Sequence, residues 1–306
     1  MIIPVALVAA VIAGGAFAVS SVVHRADETA GMPPWQAIVS HVSAVAVGIA
    51  VAGVTALGVL LAGEVLATGL QGLTLPAPGG GAFTGVAAAV GGRLAFRSGI
   101  RLSTADLAAL LFSFLVIGTL FAMITATDPT WWERSFSQLG IGIGGWAFNG
   151  TVVIAGLLIA TCGSYLGRDL HRMLGDDALP AIASVVLTWA GAGAALAAVG
   201  MLPLDTARIP HAIAAFSALG LLLAAVVLTT VVVGARPVLR VLTIALVVLV
   251  AAGLVLTFGF RMLSVAALEG IVVALVLLWL STLVQLLAIL APDVPRPSAR
   301  RSPLRA

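Results

Sequence analysis

Only a handful of side chains in this sequence are equipped for chemistry, and most of them fall in three short stretches. The densest runs from 128 to 149, DPTWWERSFSQLGIGIGGWAFN, and sets Asp128, Glu133 and Arg134 beside the adjacent pair Trp131 and Trp132. An arginine in such a setting suits a phosphate or carboxylate, which a guanidinium meets with two parallel hydrogen bonds. The second stretch, LPLDTARIPH (202–211), spaces Asp205, Arg208 and His211 by three. One helical turn would bring these to neighbouring positions of one face, and there His211 could serve as a general base oriented by Asp205. His211 also sits at the start of an apolar helix, behind Pro210 in its first turn. The third is Glu269 inside an apolar run, with Arg261 two turns earlier. A carboxylate at that depth costs about 2.5 kcal/mol or more unless paired or wetted, so it should face a bundle interior, as half of an ion pair or as an acid. Asn149, among Gly144, Gly145 and Gly150, reads as a hydrogen-bonding group where helices pack closely.

Other chemistries find no support. There is no HExxH, CxxC or GxSxG, and all 15 basic residues are arginine, so no lysine exists for a phosphate loop. Gly79, Gly80 and Gly81 lack the strand–turn–helix setting such a loop needs. His24, His41 and His211 show no pair at ligand spacing on one helix, so neither a metal nor any other cofactor is expected. The single Cys162 lies in an apolar run, has no internal disulfide partner, and reads as a buried thiol. Trp35, Trp131, Trp132 and Trp146 fit an aromatic belt at a membrane surface as well as they fit ligand stacking.

The elements that must position these groups are membrane helices. The 306 residues are 61% hydrophobic and 9% charged, with mean hydropathy +1.20, against roughly 25% charged in a soluble chain. The expected fold is an all-α integral membrane protein, a bundle of eight transmembrane helices, in the cell (plasma) membrane. The spans fall at about 1–22, 37–63, 104–126, 141–166, 178–202, 210–234, 238–260 and 263–291. Each can cross a hydrocarbon core of about 30 Å at roughly 1.5 Å per residue, and the runs are continuous, which excludes a β-barrel. No basic residue precedes the first run, so it reads as a retained helix rather than a signal peptide. Ser103 and Asp106 have the spacing of a capping box that opens the third span. Residues 65–102, with LTLPAPGGGAF and Arg93, Arg97 and Arg101, read as a loop or surface-lying helix rather than a span, with re-entry over 72–95 left open.

If both termini are cytoplasmic, eleven arginines lie inside (93, 97, 101, 168, 172, 236, 240, 296, 300, 301, 305) and four outside (25, 134, 208, 261). That is a positive-inside bias, which a ninth span over 72–95 would spoil by inverting everything after it. Eight spans with both termini cytoplasmic are therefore expected, and all three stretches fall on or near the extracytoplasmic face. The organisation expected is 1–102, two helices plus a Gly/Arg-rich cytoplasmic loop; 103–291, a six-helix core; and 292–306, a disordered Arg/Pro-rich tail. The absence of lysine with abundant Ala, Val, Gly and Leu suggests a high-GC, actinobacterial coding bias. Arginines scattered over short loops leave no patch for nucleic acid.

Residues 103–291 resemble DUF998, a bacterial family of unknown function related to the Frag1/DRAM/Sfk1 group of six-span membrane proteins. The resemblance is carried by SFSQLG (135–140), Trp146, Asn149, Gly156, the turn Gly200 to Asp205, Pro210-His211 with Ala214 and Ala215, and FGFRML (258–263) with Glu269. It implies a six-helix core with a polar extracytoplasmic face, and a wider group associated with lipid remodelling, lipid distribution or regulation at membranes. It carries over no catalytic residue.

Three functions are open to such a chain. The first is non-catalytic binding of membrane lipid or a membrane protein partner through Trp131, Trp132, Glu133, Arg134, Asn149, Arg208 and Arg261. The second is an intramembrane enzyme acting on a lipid or isoprenoid-linked substrate with His211, Asp205 and Glu269. The third is a small-solute or proton-coupled transporter using Glu269, although no inverted repeat accompanies it.

Overall fold

The computed structural model describes residues 2–29, 34–69, 77–100, 102–142, 144–234 and 236–290. The expected tail at 292–306 and Arg101 lie outside the described residues, as do the side chains of Arg25 and Trp35. Among the described residues there are helices and short helical turns and no strand: α1 (Ile2–Thr29), α2 (Pro34–Gly69), α3 (Ala77–Ile100), α4 (Thr104–Ile124), α5 (Gly145–Leu174), α6 (Leu179–Met201), α7 (Arg208–Val233), α8 (Pro237–Leu254) and α9 (Val265–Leu290). Eight are long and apolar enough to cross a membrane, all but α3, and they coincide with the eight expected spans.

Local chemistry sets several of the ends. The Asp106 amide donates to Ser103 Oγ at 3.1 Å while the Ser103 amide donates to the Asp106 carboxylate at 2.9 Å, the reciprocal box expected at the start of α4. Proline occupies the first turn of α6 and of α8, where its missing N–H has no intrahelical acceptor to lose. Gly175 and Gly234 close α5 and α7 at φ 82° and 88°, a left-handed conformation that a Cβ would penalise.

By its internal contacts the chain divides into two compact units, Met1–Ile124 and Thr125–Arg296. In the first, α4 packs on α2, and α2 returns antiparallel along α1: Gly48 faces Phe17, Gly14 faces Ala52, and Gly63 abuts Ile2. The 65–102 stretch, expected as a loop or surface helix, is helical over Ala77–Ile100 and packs along α1. In the second unit α5 packs on α6, α6 on α7, α7 on α8 and α8 on α9, and α9 also touches α5.

The closest packing in the second unit is between α5 and α6. A Cβ on Gly156 would overlap the Gly193 carbonyl, and a Cβ on Gly193 would overlap that of Gly156. Gly163 meets Trp189 and Gly167 meets Val186 in the same seam. Water-driven burial does not join helices in lipid, so small residues that let backbones touch supply dispersion contact instead. Deeper in, the fully buried rings of Trp189 and Trp279 stack 6.2 Å apart. Each indole N–H has a hydroxyl acceptor: Trp189 donates to Thr229 at 2.9 Å and Trp279 to Thr243 at 2.7 Å. Thr243 Oγ1 lies 2.7 Å from Thr230 Oγ1, and each hydroxyl also points at a backbone carbonyl of its own helix. Two hydroxyl protons cannot make all three bonds, so one of the three acceptors is always left over.

Candidate functional site

The 125–144 segment that joins α4 to α5 is short, polar and almost entirely ordered by hydrogen bonds. Asp128 starts it: its Oδ1 accepts both the amide and the hydroxyl of Thr130, at 2.8 and 2.7 Å. These bonds, with the Arg134 guanidinium 3.8 Å away, hold the half-buried Asp128 carboxyl below its ordinary range. Two tight helical turns follow, Trp131–Glu133 and Phe136–Gly140, with the Trp131 and Phe136 rings 5.1 Å apart.

Four hydrogen bonds then fasten this segment to helices of the second unit. The Phe136 amide donates to Glu269 Oε2 at 2.7 Å, and the Ala266 amide donates to the Arg134 carbonyl at 2.9 Å, both from the first turns of α9. Ser137 Oγ lies 2.9 Å from His211 Nε2 on α7. Asn149 on α5 donates from Nδ2 to the Gly140 carbonyl at 2.9 Å. A Cβ at Gly140 would overlap Asn149 Oδ1, so a larger residue there would displace the Asn149 amide. The segment is a cap tied to the ends of three helices.

His211 is 6% exposed and both its ring nitrogens are engaged. Nδ1 lies 2.7 Å from the Leu202 carbonyl, which can only accept, so Nδ1 carries a hydrogen. In the neutral ring Nε2 then accepts the Ser137 hydroxyl. The residue that orients His211 is therefore the Leu202 backbone. Asp205 is exposed, and among the described residues no hydrogen bond joins it to His211. Glu269 faces inward as expected, but its partner is the Phe136 amide, and no ion pair with Arg261 exists among the described residues. His211 and Glu269 thus serve different contacts, and Asp205 takes part in neither.

The groups that remain turned outward are Trp132, Glu133 and Arg134 on the cap, Arg208 at the start of α7, and Arg261. Trp132 is 55% exposed, with its indole N–H donating to the Pro129 carbonyl at 3.1 Å. Arg134 reaches Gln138 Oε1 at 3.5 Å and stays largely exposed. Arg261 follows a π-helical turn, Val255–Gly259, and takes φ 56° between the exposed Phe260 and Met262. A left-handed non-glycine residue costs about 1–2 kcal/mol, which the surrounding turn must hold in place. Trp131 is half-buried and Asn149 is committed to Gly140, so neither faces outward as freely as its neighbours.

Sequence reasoning did not single out Ser137, Leu202 or the two stacked tryptophans. Ser137 sits in a legible polar motif, but its contact with His211 joins residues 74 apart, and a backbone carbonyl acceptor such as Leu202 leaves no side-chain signal at all. Among the described residues no three His, Cys, Asp or Glu side chains are grouped so as to hold a metal ion.

No curated protein and no solved structure matches the chain. A family model does, over residues 107–286, more than half of the sequence, from the first turn of α4 to the last turn of α9 and including every fastening of the cap. The chain belongs to that family, described as a protein of unknown function, DUF998.

Proposed function

We propose that this multi-pass membrane protein is non-catalytic and binds lipid at its extracytoplasmic face, with the 125–144 cap as the recognition surface. The observation that carries this reading is the division of labour within the cap. Its buried polar groups hold it to α5, α7 and α9, while the side chains of Trp132 and Arg134 bond to Pro129, Gln138 and Asp128 of the cap itself and, with Glu133, stay exposed. Arg208 and Arg261 are exposed in adjoining turns and have no acidic partner among the described residues. Guanidinium groups beside exposed indole, phenyl and thioether side chains suit the headgroup level, where phosphate meets the upper acyl chain. The arginine asymmetry supports an outward-facing cap. The test is lipid co-purification. Arg134→Ala and Arg208→Ala should each lower the anionic lipid retained by purified protein, measured by native mass spectrometry. Unchanged lipid content in both variants would remove the proposal.

A second reading rests on one contact. Ser137 and His211, with the ring oriented by the Leu202 carbonyl, have the spacing of a nucleophile and its base. Such a pair would make the protein an enzyme acting on a lipid ester, but Ser137 is 9% exposed, so substrate would have to displace the cap. Labelling by a fluorophosphonate that is lost in Ser137→Ala would favour the enzyme; no labelling of the wild type would dispose of it.

A further inference from the structure

We infer that α3 also crosses the membrane, as a ninth span, and that the amino terminus lies outside the cell.

The contacts within the first unit give the direction of each helix. Between α1 and α2 the partners are 2 with 63, 14 with 52, and 17 with 48, so their numbers have a nearly constant sum and the helices are antiparallel. Between α1 and α3 the numbers have a nearly constant difference. Val5, Ala6 and Ala9 cluster with Phe83 and Ala87, Gly92 meets Ile12, and Gly99 meets Phe17 and Ser20. Ser20 Oγ donates to the Phe96 carbonyl at 2.7 Å, and His24 lies edge-on to Phe96. Helix α3 is therefore parallel to α1 along almost its whole length, and so antiparallel to α2, which it meets at Gly91 against Thr55.

A helix in continuous side-by-side contact with a membrane span shares its depth. The surface of α3 fits that position. Val86, Val90 and Leu94 turn outward, a lipid-facing stripe at helical spacing. Ala88, Gly91, Gly92, Ala95 and Gly99 turn inward, where small residues permit close approach. Thr84 and Ser98 return their hydroxyl protons to carbonyls four residues back, at 2.8 and 3.0 Å, so neither asks for water. No charge occurs from Val65 to Gly92. Arg93 and Arg97 lie in the last two turns, within reach of the interface by snorkelling.

If α3 crosses, α4 begins at the end of the first unit where α1 finishes, and alternation along the chain gives the two termini opposite sides. The arginines choose between the orientations. With the amino terminus outside, residues 25, 93, 97, 101, 168, 172, 236, 240, 296, 300, 301 and 305 are cytoplasmic, and 134, 208 and 261 are outside. Twelve against three improves on eleven against four, and only Arg25 changes sides. The cap remains outside, whereas His24, Trp35 and His41 fall on the cytoplasmic side.

Single cysteines at Asp27, Glu64 and Glu133 test this in the full-length chain. Cys162 is fully buried, so the wild type is the blank. A membrane-impermeant maleimide on intact cells should label Glu64→Cys and Glu133→Cys, and label Asp27→Cys only after permeabilisation. Positions 64 and 133 on opposite sides would overturn the ninth crossing, and labelling of Asp27→Cys in intact cells would overturn the outward terminus. A cytoplasmic Glu133→Cys would instead strike the proposed lipid-binding face, whichever side position 64 takes. An amino-terminal epitope tag, read by antibody on intact cells, reports the terminus without altering a helix.

Discussion

Removing the Glu269 carboxylate should release the cap without unfolding the bundle. That carboxylate accepts the Phe136 amide at 2.7 Å, across 133 residues of sequence. In Glu269→Ala the amide keeps its partly buried position and loses its acceptor. Leaving a buried donor without its acceptor costs about 1–3 kcal/mol, so the open state of the cap should rise about 5- to 150-fold at 1.4 kcal/mol per decade. The Ala266–Arg134, His211–Ser137 and Asn149–Gly140 bonds remain, which confines the change to the cap. Trypsin reads it directly, because Arg134 lies within the segment. When opening is fast relative to cleavage, the rate of cutting follows the open population. Purified Glu269→Ala should yield the fragment ending at Arg134 faster than wild type by that factor. Glu269→Gln retains an acceptor and should show a smaller rise than Glu269→Ala. If Glu269→Ala is cut no faster than wild type, the bond does not hold the cap. If Gln and Ala behave alike, an acceptor at that position is not what matters.

Three further outcomes follow from the packing and the cap. Gly193→Ala and Gly156→Ala should each destabilise by about 1–3 kcal/mol, because the new Cβ would overlap a facing carbonyl. Gly220→Ala has no neighbour within 4 Å and should be neutral or slightly stabilising in thermal unfolding; equal losses at 193 and 220 would refute the α5–α6 seam. Thr243→Val leaves the buried Trp279 N–H without its acceptor and should cost about 1–3 kcal/mol, while Trp279→Phe added to it should cost less than the two changes summed. Additive losses in that double-mutant cycle would deny the contact. The Asp128 carboxyl titrates below its ordinary range, so its help to the cap is fully present above about pH 4 and fades as pH falls through the lowered folded value. Acid titration followed by tryptophan fluorescence should show that step in the wild type and not in Asp128→Asn.

The eight long spans were legible because hydropathy sums over some twenty residues, and no other reading satisfies so many consecutive apolar side chains. The box at Ser103 and Asp106 was legible because it is a local exchange of two hydrogen bonds at fixed spacing. The inward aim of Glu269 followed from the cost of a carboxylate among apolar neighbours, yet its partner did not, since the Phe136 amide carries no sequence signature. His211 is a similar case. Spacing by three pointed to Asp205, whereas the loop before α7 folds back and presents the Leu202 carbonyl instead. Helix α3 was obscured by its own packing chemistry. Gly and Ala add little hydropathy, and the same residues let α1 and α2 press against its backbone. Trp189 and Trp279 looked like ordinary span residues, because nothing local shows that two rings from α6 and α9 meet over threonines of α7 and α8.

Which of the candidate functions the cap favours turns on where hydrogen-bonding capacity is left unused. A general base must present a free lone pair to substrate, and a proton carrier must meet water on each side of the membrane in turn. His211 has one nitrogen on Leu202 and the other on Ser137 while both residues are buried. Glu269 is held against the Phe136 amide beneath the cap. Either chemistry would first require the cap to open, against four hydrogen bonds from α5, α7 and α9. Binding asks for no such step. The guanidinium groups of Arg134, Arg208 and Arg261 and the ring of Trp132 are exposed with the cap closed, and closure is what keeps the segment bearing Arg134 and Trp132 rigid. A rigid surface loses less conformational freedom when a headgroup arrives, so the bonds that obstruct catalysis are the same ones that favour recognition.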